Sequence, residues 1–437
     1  MGGGQVPASA AEHTWEVQRL RIAPVGALSG RVRVAGAKNS ALKLMAAAVM
    51  ARGTTVLHNV PRISDVDCMA DLLRSMGLGV TWVGDSTLQI VRPETIVPEA
   101  PYELVERMRA SIVVLGPLLA VEGRARVALP GGDDFGPRPI DMHLRALEDL
   151  GGTFVSAHGY VEGTTPGLVG TRILLEFPSV GATENAMMAG VLAKGTTTIE
   201  NAAREPEIAD IAAFLNAMGA RILGAGTSTV TIEGVAELHP AEHTVIPDRI
   251  EAATWLAAVG VAGGDIEIEG ARADHMDMVL VKLAEMGVEV TATEGQLPGL
   301  VVHAPERLRA VDSVATLPYP GVATDYKPLL VAMLATADGV SIVTENLFAG
   351  RFRYIDELVR MGADIRTEGH HAVVRGRDRL SGAPVRAPDI RAGAALVVAA
   401  LRADGETVVA GADHIARGYD DFVGKLVALG ADVSVVD

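Results

Sequence analysis

The chain has 437 residues, of which 49% are hydrophobic and 21% charged, with a formal net charge of −16. That length predicts two or three domains, and the balance of apolar and charged residues excludes a disordered polymer. The acidic excess argues against nucleic-acid binding, since phosphate backbones attract basic surfaces. The single cysteine, Cys68, excludes intrachain disulfides and cysteine zinc sites and fits a reducing cytoplasm.

The opening stretch MGGGQVPASAAEH lacks the basic-then-apolar order of a secretion signal. It also carries Val6 where a myristoylation motif needs Ser or Thr, so residues 1–14 read as a disordered tail. Further on, the longest apolar run, ASIVVLGPLLAV, falls short of the roughly 20 residues that span a bilayer.

From Leu72 onward one pattern returns at intervals of about 70 residues: LLRSMGLGV, ALEDLGGTF, FLNAMGARI, KLAEMGVEV, ELVRMGADI and KLVALGADV. In each, an amphipathic helix ends on a left-handed glycine cap (Gly77, Gly151, Gly219, Gly287, Gly362 and Gly430) and an alternating strand follows. Ahead of each cap stands an apolar helix, a turn and a β-branched strand, as in NSALKLMAAAVMARGTTVLHNV and RIEAATWLAAVGVAGGDIEIEG. The first helix of each unit is apolar on nearly every face and predicted buried; the second, as in YIDELVRM, keeps one polar face outward. Three units closing around their inner helices predict two similar α/β domains of three units each.

Charged and polar residues gather at the helix starts. The inner helices open with Lys38 and Asn39, Arg109, Ser179 and Gly181, Asp248 and Arg249, Asp325, and Asp389 with Arg391. Four outer helices open with Arg138, Arg204 and Glu205, Arg351 and Arg417. Parallel inner helices would bring these groups, together with the positive ends of the helix dipoles, to one cleft suited to a ligand with several phosphates or carboxylates. The glycine-rich stretch LPGGDDFGPRPIDMH, residues 129–143, reads either as a plain turn or as a lid carrying Asp133 and Asp134 beside Arg138. His370 and His371 lie beside a strand start with no third ligand nearby and read as turn residues.

Taken together, VAGAKNSALKLMAA, RASIVVLGPLL, LPGGDDFGPRPIDMH, SVGATEN, NAAREPEIAD, PDRIEAATW, TDYKPLL, TENLFAGRF, DIRAGAALV and HIARGYDDF resemble the enolpyruvyl transferases, and within them the branch that takes UDP-N-acetylglucosamine. The likeness runs from about Leu20 to the C-terminus. It implies a two-domain inside-out α/β barrel, or prism, of six repeated βαβαββ-like units. One domain would span 38–246 with a lid at 130–139, and the other 15–37 plus 247–437, with the active site in the cleft between them. The implied reaction moves the enolpyruvyl group of phosphoenolpyruvate to the 3-hydroxyl of UDP-N-acetylglucosamine and releases phosphate, with no metal or organic cofactor.

By motif match, Lys38, Arg138 and Arg417 would surround the phosphate, Arg391 would sit near the carboxylate, Asp325 would take the sugar hydroxyl proton, and Asp389 would orient the neighbouring cations. Asn39, Arg109, Arg138, Pro139, Ile140, Asp141, Met142, Phe177, Pro178, Ser179, Val180 and Leu347 would contact the nucleotide-sugar. Two positions depart from the family pattern. Asp133 stands where many members have cysteine, which implies a carboxyl proton donor and insensitivity to thiol-directed epoxides such as fosfomycin. Phe177 stands where many have lysine, which keeps open UMP as an alternative acceptor. Shikimate 3-phosphate fits the lid less well, and a ligand-sensing paralogue would not need both acid–base and phosphate groups.

Overall fold

The computed structural model describes residues 19–129, 139–294, 297–348 and 350–436. The inner helices carry small and branched apolar residues on all sides, and burial follows. Every residue is buried in Arg249–Ala262, Lys327–Leu334 and Ile390–Ala400. Lys38–Ala47 and Val180–Gly190 are nearly so. The second unit departs from expectation, because Arg109 opens a 3-10 stretch, Arg109–Val114, before the α-helix Leu115–Glu122 begins. Pro117 falls in the first turn of that α-helix, where a missing N–H leaves no gap.

The outer helices, such as Ser64–Ser75 and Tyr354–Arg360, bury one face only. All six predicted cap glycines have positive φ, from 85° at Gly362 to 102° at Gly219, the region that a side chain disfavours.

Besides a two-stranded pair, Leu380–Ser381 with Ala403–Asp404, the strands form six four-stranded sheets among the described residues. Each four-stranded sheet has one order: an edge strand parallel to its neighbour, then two antiparallel pairings, as in Arg172–Leu174, Thr196–Glu200, Thr229–Glu233 and Arg221–Leu223. In three sheets one strand comes from far along the chain. Glu242–Thr244 supplies the parallel edge beside Gly53–His58. Leu28–Arg33 does the same beside Gly264–Glu269. Arg19–Ala23 lies between Thr407–Ala410 and Asp432–Val436.

Two hydrophobic cores result. One is drawn from positions 37–245, the other from 20–34 and 250–433. The chain passes between them twice, side by side, where Ala37 N–H donates to Ile246 O at 2.7 Å and Asp248 N–H to Ala35 O at 2.9 Å. Asp248 ties this crossing to the helices. One carboxylate oxygen caps Arg249–Ala262 through Ile250 N at 2.7 Å, and the other accepts Lys38 N–H, at the start of Lys38–Ala47, at 3.0 Å. Gly36 is required here, since a Cβ would stand 1.7 Å from Asn59 O. No helix among the described residues is long and apolar enough to cross a membrane.

Candidate active site

A cavity of about 620 Å3 opens beside the double crossing, with walls from both cores. Lys38, Asn39, Arg109, Pro139, Met142, Phe177, Pro178, Ser179, Val180, Asp325, Leu347, Asp389, Arg391 and Arg417 all line it. Residues spread over nearly 380 positions therefore meet in one space. Ile140 and Asp141 do not line it; Asp141 starts the helix Asp141–Asp149 and is exposed. Arg204 is exposed as well, and its neighbour Glu205 lines the wall instead. Asp133 and Arg138 lie outside the described residues.

Two carboxylates each grip two cations. Asp65, in the first turn of Ser64–Ser75, holds Lys38 Nζ at 2.7 Å and Arg417 Nε at 3.0 Å. Burial works against its charge, yet Lys38 and Arg417 hold the Asp65 carboxyl below the usual range. Lys38 is itself lowered, first by burial and then by Arg391 and Arg417, with Asp65 opposing. Within reach of Lys38, Asp325 binds Arg351 Nη1 at 2.7 Å and stands 3.7 Å from Arg391 Nε. Here too burial is outweighed, and Arg351 and Arg391 hold Asp325 far below an ordinary aspartate. Lys38, Arg351, Arg391 and Arg417 thus gather around Asp65 and Asp325 on one cavity, a grouping of donors suited to an anionic ligand.

The helix starts supply further donors. Ser179 caps Val180–Gly190 by accepting Ala182 N–H at 3.3 Å. Asp389 caps Ile390–Ala400 by accepting from Arg391 N at 2.8 Å and Ala392 N at 2.9 Å. Its side chain thereby fixes the backbone that carries Arg391. Asp325 lies two residues ahead of Lys327–Leu334 rather than within its first turn.

At the end of the cavity nearest the first core, His143 is pinned by Asn185, whose Nδ2 donates to His143 Nδ1 at 2.9 Å. Burial and the nearby Arg109 push this imidazole down to about 4, so it is neutral at physiological pH. Glu184 beside it is fully buried, 3.4 Å from Lys43, and burial lifts its carboxyl to about 7. Among the described residues no group of His, Cys, Asp and Glu side chains is arranged to hold a metal ion.

Asp65, Lys43, His143 and Glu184 were not singled out from the sequence. Asp65 had a usable signal, because it occupies in the first unit the helix-opening place that arginines hold in others. Lys43 and Glu184 lie inside helices whose apolar surroundings gave no sign of a wall, and His143 lies on the buried face of the otherwise polar helix Asp141–Asp149.

A family model described as EPSP synthase (3-phosphoshikimate 1-carboxyvinyltransferase) matches residues 22–426. The UDP-N-acetylglucosamine 1-carboxyvinyltransferase of Mycobacterium bovis is 51% identical over 94% of this chain and 97% of its own length. The enzyme of the same name from Nocardia farcinica is 50% identical over 96% of this chain and 99% of its own. The solved structure of the enolpyruvyl transferase NikO from Streptomyces tendae superposes with a TM-score of 0.86 at 28% identity, covering 96% of this chain and 99% of that one. An EPSP synthase from Acinetobacter baumannii, at 20% identity and a TM-score of 0.76 over 96% of this chain and all of that one, shares the fold.

Proposed function

Because the chain belongs to the EPSP synthase family of enolpyruvyl transferases, we propose that the cavity binds phosphoenolpyruvate against its cationic wall and a nucleotide-sugar across the helix starts. The protein transfers the enolpyruvyl group of phosphoenolpyruvate to the 3-hydroxyl of UDP-N-acetylglucosamine and releases phosphate. The convergence of Lys38, Arg391, Arg417 and Asp325 on one cavity carries this reading. Two anionic ends must be held while the reacting carbon changes charge, and these side chains meet that need.

The chemistry assigns each group a task. A proton added to the methylene carbon of phosphoenolpyruvate makes C2 electron-poor, and the sugar oxygen attacks it as the hydroxyl proton leaves. The resulting tetrahedral adduct loses a methyl proton and then phosphate, restoring the double bond on the new ether. Lys38 and Arg417 hold the phosphate, joined by Arg138, and Arg391 holds the carboxylate. Asp133 delivers the first proton. Asp325 takes the hydroxyl proton, for which its present ion pairs make it too weak a base. An incoming carboxylate that draws off Arg391 relieves that pull and raises its proton affinity. Arg109, Pro139, Met142, Phe177, Pro178, Ser179, Val180 and Leu347 form the nucleotide-sugar side, with Ile140 and Asp141 backing Met142 from the adjoining helix start.

The six sheets of one strand order and the six capped outer helices support a prism of six βαβαββ-like units, three per domain, with 38–246 as one domain and 15–37 plus 247–437 as the other.

Phosphate release from phosphoenolpyruvate, followed with UDP-N-acetylglucosamine, UMP and shikimate 3-phosphate in turn, tests the acceptor. Turnover is expected with the nucleotide-sugar; turnover with UMP alone would reassign the site.

A further inference from the structure

Among the described residues, one buried carboxylate outside the reacting set accepts more hydrogen bonds than Asp65, Asp325 or Asp389. Glu345 has no exposed side-chain surface and accepts from five donors. Its Oε1 takes Thr316 Oγ1 at 2.7 Å, Leu347 N at 2.8 Å and Phe348 N at 3.1 Å. Its Oε2 takes Thr324 Oγ1 at 2.8 Å and Lys327 Nζ at 2.9 Å. Lys327 is equally buried, packs its ammonium 3.9 Å from the Phe352 ring centre and also donates to Arg351 O. These bonds end on the two segments that form one wall of the cavity. Leu347 and Phe348 line it directly, and Thr324, itself bonded by Arg351 Nη1 at 3.1 Å, precedes Asp325.

We propose that Glu345 is the positioning residue of the acceptor side: its carboxylate fixes the turn that presents Leu347 and, through Thr324, the turn that presents Asp325. The proposal rests on the nucleotide-sugar reading given above. Glu345 touches no ligand itself. Burying a carboxylate and an ammonium costs more than a well-packed apolar pair would, so stability alone gives little reason for the arrangement. A carboxylate offers acceptor sites on both oxygens, which suits a point where backbone N–H groups, hydroxyls and an ammonium converge.

Two double variants separate placement from stability, since each removes both buried charges together. Lys327→Met with Glu345→Gln keeps an oxygen toward Leu347 N, Phe348 N and Thr316. Lys327→Met with Glu345→Leu removes that acceptor. The Gln form should keep KM for UDP-N-acetylglucosamine within about threefold of wild type, and the Leu form should raise it about tenfold or more. KM for phosphoenolpyruvate should stay within about threefold in both. If the Leu form does not fold, Glu345→Asp, which draws the carboxylate back by one methylene, is expected to show the same selective rise. Equal effects of the Gln and Leu forms, a rise shared by both substrates, or an unchanged acceptor KM in Glu345→Asp would overturn the assignment. Wild-type turnover in the same assay reports on the acceptor reading independently, so the two ideas fail separately.

Discussion

Asp65 and Asp325 share a predicament: each is charged, largely enclosed, and held ionised by two cations. A carboxyl whose folded value lies below its unfolded value of about 4 stabilises the fold above that pH, and the contribution is lost as pH falls through the folded value. Unfolding free energy from urea titrations should therefore decline below about pH 4, and Asp65→Asn should make that acid limb shallower. Asp325→Asn should lower kcat by roughly 10²- to 10⁴-fold, the usual worth of a positioned base, while calorimetry still detects nucleotide-sugar binding. At Asp133, outside the described residues, the sequence alone supports a test. An isolated aspartate of pKa about 3.9 is mostly ionised at neutral pH; under the proposed acid role the adjacent Asp134 and closure of the stretch over ligand would both raise it, so activity should favour mildly acidic conditions. Asp133→Asn should lose most turnover, and exposure to fosfomycin should leave wild-type activity intact with no covalent adduct by mass spectrometry. A flat profile from about pH 5 to 9 would remove Asp133 from the acid role.

At the scale of elements, close helix packing decides which glycines tolerate a side chain. A Cβ at Gly116 would meet Asn185 O at 2.6 Å and Asn185 Oδ1 at 2.8 Å. Asn185 has no room to yield, because its amide also binds Gly116 N, Ile112 O and His143. A Cβ at Gly260 would meet Met333 Cε at 2.5 Å, the far end of a flexible chain. Gly116→Ala should cost about 1–3 kcal/mol in urea titration, whereas Gly260→Ala should fall near neutral because the helical preference of alanine offsets the repacking. The same scale explains what the sequence made legible. The caps at Gly77 through Gly430 were readable because only glycine enters that conformation cheaply, and the inner helices because their faces are apolar all round. The partners of Glu242–Thr244 and Leu28–Arg33 were not, since pairing across some 190 or more residues leaves no local pattern. The ends of the inner helices announced Lys38, Arg391 and Asp325, but not Asp65 or Glu345. A carboxylate in a helix's first turn, or after a strand, also looks like ordinary capping or solvation.

For the molecule as a whole, the question is how two cores come to act on one ligand. Apart from the crossing, Asp65 and Arg417 join them at 3.0 Å, Arg62 N–H donates to Asp420 Oδ2 at 3.2 Å, and Glu207 joins Arg249 at 3.0 Å in a pair that is buried on both sides. Among the described residues these ties are ionic or hydrogen-bonded, and the crossing adds its own, where Asp248 caps one helix and anchors the first residue of another. Removing that carboxylate leaves three backbone donors short of an acceptor, at about 1 kcal/mol each. Asp248→Ala should therefore lower stability by about 2–4 kcal/mol. It should also broaden or split the calorimetric transition, because each core keeps its own apolar burial while their link is weakened. Saturating ligand supplies a second link, and binding to the folded state at about one hundred times Kd adds about 2.7 kcal/mol. Nucleotide-sugar should thus restore a single transition in Asp248→Ala. A variant that melts in one sharp step without ligand would place the coupling in ties such as Asp65–Arg417, Arg62–Asp420 and Glu207–Arg249 instead.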